Sequence, residues 1–237
     1  MGVEQRGVQV TKTINAKGKP FSWSYTALAD FEGCPARYAA ARFYCTSPFQ
    51  ESEALRWGNR VHKAAELAIK GKDHKDPEAF APVAPYVSAL KASGHFLEAE
   101  TEITLNENLD LTGWFAKDAW LRCKLDVVVT KHHPNTAVLY DWKTGKIKEG
   151  DDQLRICVAA LEKTRAGIDI FEGKYIWTKF KQVTGIKPIK RTEIPQVWEN
   201  ILPRVASMQA AWDADNFPAK PSGLCPYCPV TNCLKRR

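Results

Sequence analysis

A chain of 237 residues, 44% hydrophobic and carrying eight tryptophans, can bury a full core as one domain and is too apolar to be intrinsically disordered. Its formal net charge of +7 suits a polyanionic partner such as nucleic acid. No apolar run is long enough to span a bilayer, residues 1–20 lack the apolar core of a signal peptide, and no G-x-x-x-x-G-K-[ST] phosphate loop occurs. These absences predict a cytoplasmic protein, off the membrane, with no ATP-driven motor of its own.

Residues 1–20 read as a flexible arm or one weak strand. Ser24 can cap a helix from Tyr25 to about Glu32, with Gly33 as its stop and Pro35 opening the next helix. Glu51 to Lys70 reads as one helix ended by Gly71, with Ala54, Gly58, Val61, Ala65 and Ala68 as its buried stripe. His62 and Glu66 are four residues apart and share a face beside Gly58. Asp76 to Ser93 predicts a further helix, opened by Pro77 and made irregular or split by Pro82 and Pro85. Ala99 to Asn106 alternates apolar and polar residues, as a strand does, and Leu109 to Ala119 reads as a connecting turn.

Leu121 to Thr130 and Thr136 to Trp142 are apolar, strand-like runs separated by the turn cluster KHHPN. Folding them antiparallel about His133 and Pro134 sets Asp126 opposite Asp141, with Cβ atoms about 4.5–5.5 Å apart. Alternation then turns Lys143 to the same side as Asp141, and Leu125, Val127, Tyr140 and Trp142 to the other. Adjacent carboxylates repel unless one takes up a proton or a cation joins them. Mg²⁺ is held by one or two carboxylates together with water and phosphate oxygens, and a nearby lysine can orient the attacking water or steady charge on the phosphate. Lys143, Lys146 and Lys148 add a basic margin.

Gly150 to Thr164 predicts a helix with Gln153 on its first turn. Cys123 and Cys157 read as core residues. Phe171 to Phe180 and Pro188 to Ile194 read as strands, and Pro195 to Asp213 as a helix that Pro203 can bend. Cys225, Cys228 and Cys233 follow C-x-x-C-x-x-x-x-C, a spacing that binds zinc or an iron–sulfur cluster. Cys34, followed by Pro35, and Cys45, which lacks a following proline, both lie far from these three in the sequence.

KLDVVV followed by YDWKTGK resembles the core of the PD-(D/E)XK nuclease superfamily in its RecB-like branch, which includes RecB and AddB nuclease domains, CRISPR-associated RecB-like exonucleases and phage exonucleases. Asp141-Trp142-Lys143-Thr144-Gly145 is the most branch-specific piece. The resemblance implies that Asp126, Asp141 and the backbone carbonyl of Trp142 hold Mg²⁺ or Mn²⁺, and that Lys143 is the catalytic lysine. Gly58, His62 and Glu66 match G-x-x-x-H-x-x-x-E, which implies His62 as a further metal ligand with Glu66 behind it. Gln153 matches the glutamine of Q-x-x-x-Y, near the metal and the scissile phosphate, but Cys157 stands where tyrosine is usual. Ser24, Leu28, Phe31, Cys34, Pro35 and Tyr38 match the S-x-x-x-L-x-x-[YF]-x-x-C-P entry segment and its trailing aromatic. That match implies a 4Fe-4S cluster on Cys34, Cys225, Cys228 and Cys233, with zinc as the alternative.

The implied fold is α/β: a restriction-endonuclease-like core, its mixed central sheet flanked by helices and its termini joined by the cysteine-ligated cluster. The expected layout is one nuclease domain over 1–237, with an arm at 1–20, helices at 22–95, the core at 96–194, and a closing helix with the cysteines at 195–237. The implied function is a metal-dependent deoxyribonuclease, an exonuclease on single-stranded DNA or DNA ends. The alternatives are a structure-specific endonuclease and a non-catalytic DNA-binding subunit. Recombination, repair or CRISPR-adaptation proteins are the expected partners.

Overall fold

The computed structural model describes residues 18, 20–46, 51–131, 135–231, 233 and 235. The arm expected at 1–20 lies outside the described residues except for Gly18 and Pro20, as does the centre of the hairpin turn at 132–134.

The two apolar runs pair as anticipated. Strand β2 (Leu121–Lys131) runs antiparallel to β3 (Thr136–Lys143), from Lys131↔Thr136 to Val127↔Tyr140, a register that continues to Asp126 opposite Asp141. Strand β1 (Phe96–Leu105) adds antiparallel to β2. A parallel partner for β3 needs a crossover, and helix α6 (Asp152–Glu162) lies in the segment that carries the chain to β4 (Ile170–Trp177). Two short strands share the outer edge of β4. These are β5 (Gln182–Gly185) and β6 (Ile189–Lys190), which complete a six-stranded mixed sheet.

Helices cover the sheet through two separate cores. One packs α1 (Tyr25–Gly33), α2 (Pro35–Tyr38), the π-helical turn Ala39–Phe43, α6 and α7 (Ile194–Asp213). The other packs α3 (Glu53–Ile69), α4 (Pro77–Phe80) and α5 (Ala84–Ala92). Strand β3 alternates between them. Ala137 and Leu139 enter the first core; Val138 and Trp142 enter the second.

Strand β2 does not keep one alternation. Leu121, Cys123 and Leu125 enter the first core, whereas Val127 and Val129, of the same parity, enter the second. Leu125 therefore faces away from Val127, Tyr140 and Trp142, which corrects the single-face expectation. Strand β1 changes sides likewise, with Ile103 and Leu105 in the first core and Leu97 against the second. The change occurs at Glu100, which stands across from Asp126 between the pairs Ala99↔Val127 and Thr101↔Leu125 and adopts a left-handed φ of 59°. A residue with a Cβ in that region carries strain of about 1–3 kcal/mol.

Other elements follow local chemistry. Ser24 Oγ accepts from the Ala27 amide (3.3 Å), and Cys34 turns extended because Pro35 disfavours helical geometry in the residue before it. Ser52 caps α3, whose buried residues are Val61, Ala64 and Ala65, while Ala54 is exposed and lies off the expected stripe. The helix expected over Asp76–Ser93 is divided into α4 and α5. The expected strand to Phe180 ends at Trp177 and turns back as β5. Only Ile189 and Lys190 of the expected Pro188–Ile194 strand pair, because Arg191–Glu193 already winds into α7. Helix α7 continues through Pro203. From it Arg204 pairs with Glu32 of α1 (2.6 Å) and Asp152 of α6 (2.6 Å), tying three helices together.

Helix α6 sits unusually close to the sheet at Gly173, where a Cβ would stand 2.9 Å from Leu154 Cβ. Gly173→Ala is expected to lift the first turn of α6 and to destabilise the fold by about 1–3 kcal/mol, an overpacking effect measurable by urea denaturation.

Candidate active site

The sheet, α3 and α6 bring the predicted residues to one cleft of about 670 Å³, lined by His62, Asp126, Asp141, Trp142, Lys143 and Gln153, and also by Glu66 and Glu100. Asp126 ends the β2–β3 ladder with its side chain. Its Oδ2 accepts from the Trp142 amide (2.8 Å), and its Oδ1 lies 3.1 Å from His62 Nδ1. Helix α3 can deliver His62 because Gly58 lets Thr144 approach: a Cβ on Gly58 would lie 3.3 Å from Thr144 Oγ1.

On the other side, Gln153 Nε2 donates to Asp141 Oδ1 (2.8 Å). Lys143 Nζ donates to Gln153 Oε1 (2.8 Å) and lies 2.6 Å from Asp141 Oδ2. Gln153 thus bonds both the carboxylate and the lysine of the D-W-K run. The Lys143 ammonium also stands 4.9 Å from the ring of Tyr175, the β4 residue paired with Asp141. Cys157, at the position of the usual tyrosine, is buried, and a hydrogen bond to Cys123 together with burial holds its thiol protonated.

One carboxylate was missed in the sequence. Glu100 lies with His62 and Asp126 so that ligand atoms of all three fall within 4.8 Å of one another. Its carboxylate pairs with Lys124. The signal was the acidic strand AETEITL, but only the β1–β2 register shows which of its carboxylates stands across from Asp126. Glu66 lines the same cleft with its carboxylate engaged by Lys63 (2.7 Å) and Lys70 (2.8 Å), which hold it well ionised, with a pKa of about 2.

Crowding sets the electrostatics. Burial, then the charge of Asp126, pushes the Asp141 carboxyl up to about 6 against the pull of Lys143. Burial lowers the pKa of His62, but the hydrogen bond and charge of Asp126, with Asp141 and Glu100, outweigh it and leave a net rise. Oxygen donors around one histidine suit a hard divalent cation, which would relieve this repulsion.

A second constellation lies beside α2, whose Ala36 and Arg37 share in its lining. Cys34, Cys225, Cys228 and Cys233 line one small cavity, and Cys45 lies outside it. The amides of Lys220 and Ser222 point at Cys34 Sγ (3.4 Å) and Cys225 Sγ (3.2 Å). His132 and His133 lie outside the described residues.

A family model described as the PD-(D/E)XK nuclease superfamily matches residues 22–233. The chain belongs to that superfamily. It is accordingly a nuclease, of a kind that uses divalent metal. No curated protein matches it significantly in sequence. Among solved structures, a protein described as "Putative exonuclease" from Eubacterium rectale shares the fold at a TM-score of 0.54 and 13% identity, over 91% of this chain and 90% of that one. The protein SSO0001 is similar over 92% of this chain and 89% of that one, at a TM-score of 0.41 and 16% identity. Among the described residues, no helix of this nuclease is long and apolar enough to cross a membrane.

The raised Asp141 pKa has a consequence for stability. Its folded value lies above the ordinary 3.8, so ionisation between about pH 4 and 6 weakens the metal-free fold, and at pH 8 the full penalty of about 2–3 kcal/mol is present. Asn at this position keeps an acceptor for Gln153 and removes the charge. Metal-free Asp141→Asn is therefore expected to melt above the wild type at pH 8, with the difference vanishing towards pH 4 in scanning calorimetry.

Proposed function

We propose that this nuclease is a RecB-like exonuclease that hydrolyses phosphodiester bonds of single-stranded DNA or DNA ends. The observation that carries the reading is the convergence of His62, Asp126, Asp141, Lys143 and Gln153 on one cleft from α3, the hairpin and α6. In this reading His62, Asp126, Asp141 and the Trp142 carbonyl hold Mg²⁺ or Mn²⁺, and Glu100 joins them. The cation would polarise the scissile phosphate and lower the pKa of a bound water. Lys143 orients that water or steadies the developing phosphate charge. Gln153 keeps the ammonium and the Asp141 carboxylate in fixed relation. Exposed Lys146 and Lys148 attract the polyanion. The chain acts as one domain with the boundaries read from its sequence, in the cytoplasm, alongside recombination, repair or CRISPR-adaptation proteins.

The cysteine site is read as a structural 4Fe-4S cluster on Cys34, Cys225, Cys228 and Cys233. That all four cysteines line one small cavity supports a shared metal group.

Asp126→Ala, Asp141→Ala and Lys143→Ala are each expected to slow cleavage of end-labelled DNA by roughly 10²–10⁴ or more, with the fold intact by circular dichroism. Cleavage of closed circular single strands would replace the exonuclease reading with an endonuclease. Near-normal rates in Asp141→Ala would remove the site assignment.

Anaerobically purified protein is expected to be brown, with iron and acid-labile sulfide in similar amounts. Cys34→Ser is expected to lose stability, because metal binding and folding are coupled. Colourless protein with stoichiometric zinc would overturn the iron assignment.

A further inference from the structure

A second cleft, of about 560 Å³, opens beside the nuclease centre, and Thr26, Lys124 and Gln153 line both. The two differ in charge. Glu66, Glu100, Asp126 and Asp141 line the first, whereas among the described residues no Asp or Glu lines the second, and Arg42, Arg122 and Lys124 do.

Strand β2 supplies two of these cations in register with the centre. Leu121, Cys123 and Leu125 are buried, and between them Arg122 is half-buried and Lys124 exposed. Positions two apart on a strand are about 6.8 Å apart, so Arg122 and Lys124 form a short basic row ending at Asp126.

Above this row stands an aromatic loop. Trp114 lines the cleft. The loop is fixed by the Arg122 Nε bond to the Trp114 carbonyl (2.9 Å) and by Thr112 Oγ1 donating to Asp118 Oδ1 (2.8 Å). Its next residue, Phe115, is 92% exposed, an arrangement that no packing in the fold explains.

We propose that single-stranded DNA reaches the nuclease centre through this second cleft, with Arg122 and Lys124 on its phosphates and Trp114 stacked on a base. This rests on the nuclease reading above and names the residues that guide its substrate. A cationic groove with aromatic faces is the chemistry that holds single strands, whereas a duplex keeps its base faces covered. Arg42 pairs with Asp30 (3.1 Å) and Lys124 with Glu100, but among the described residues no carboxylate lines the cleft itself, so with Arg122 these cations give the charge complementarity, and continuity through Lys124 and Gln153 leads the strand to the scissile position.

The test measures binding of a fluorescein-labelled oligo(dT) strand to the full chain by anisotropy, with Ca²⁺ present. Bis(4-nitrophenyl) phosphate hydrolysis with Mn²⁺ reports separately on the metal centre. Trp114→Ala is expected to weaken binding by about five- to hundredfold, the loss of one stacked base, and Trp114→Phe to recover most of it. Arg122→Gln is expected to reduce the slope of log affinity against log salt by about 0.7. Phe96→Ala, an exposed aromatic at the far end of β1, is the unaffected control.

Oligo(dT) affinity unchanged in Trp114→Ala would overturn the proposal, as would equal or tighter binding of a blunt duplex by the wild type. Wild-type protein that hydrolyses neither DNA nor the small diester would sink the nuclease reading, while the binding series still decides the cleft. Photocrosslinking of a 5-iodouridine strand to the Lys143→Ala variant gives a check that leaves the loop unaltered. Adducts at Trp114 or Phe115 support the path, and adducts confined to other surfaces refute it.

Discussion

The structure turns on the crowding of carboxylates where its two cores part. Asp126 and Asp141 face each other across the hairpin, and Glu100 joins them from β1 at the point where β1 and β2 change sides. Apolar packing would have no use for three acids there. Each is partly compensated: Asp126 by the Trp142 amide and His62, Asp141 by Gln153 and Lys143, Glu100 by Lys124. The compensation is incomplete, as the raised Asp141 pKa records. A cleft with surplus negative charge and fixed donors is preorganised for a divalent cation.

The left-handed Glu100 fits this arrangement. With regular alternation, the residues flanking it in β1 would all face one core. Strained backbone at that one residue lets Leu97 pack on the second core while Ile103 and Leu105 pack on the first. Backbone strain of this kind persists only where the surroundings over-determine it. Here the β1–β2 ladder on both sides supplies that constraint.

Close packing of small residues delivers the helices to the cleft. Gly58 lets α3 meet the Thr144 turn, and Gly173 lets the first turn of α6 settle on β4, so that His62 and Gln153 arrive from opposite sides of the sheet. Both glycines act by lacking a Cβ, since neither has a positive φ. Charge differs between the two clefts: four acids line the centre beside its lysines, whereas among the described residues Arg42, Arg122 and Lys124 but no Asp or Glu line the neighbouring cleft. A polyanion is attracted to the second and loses that attraction at the first unless a cation is bound there.

Much was legible in the amino-acid sequence. The hairpin, its register and the Gln153 helix follow from turn chemistry and periodicity, because these signals are local, whereas the α3 histidine and the grouping of Cys34 with the three terminal cysteines were implied by the family resemblance. The cap residue Ser24 told where α1 begins. What the chain could not announce depends on partners distant in sequence. Glu100 is one of several acids on an unremarkable strand until β1 pairs with β2. Leu125 has the parity of Val127 yet enters another core. Tyr175 meets Lys143 only through the parallel register of β3 and β4. Of eight tryptophans, Trp114 is given its place in the basic cleft by an irregular loop held through Arg122. Local pattern determines which residues can form a strand or a helix. Which face each presents, and to whom, is decided by non-local pairing and packing, and only the tertiary structure holds that information.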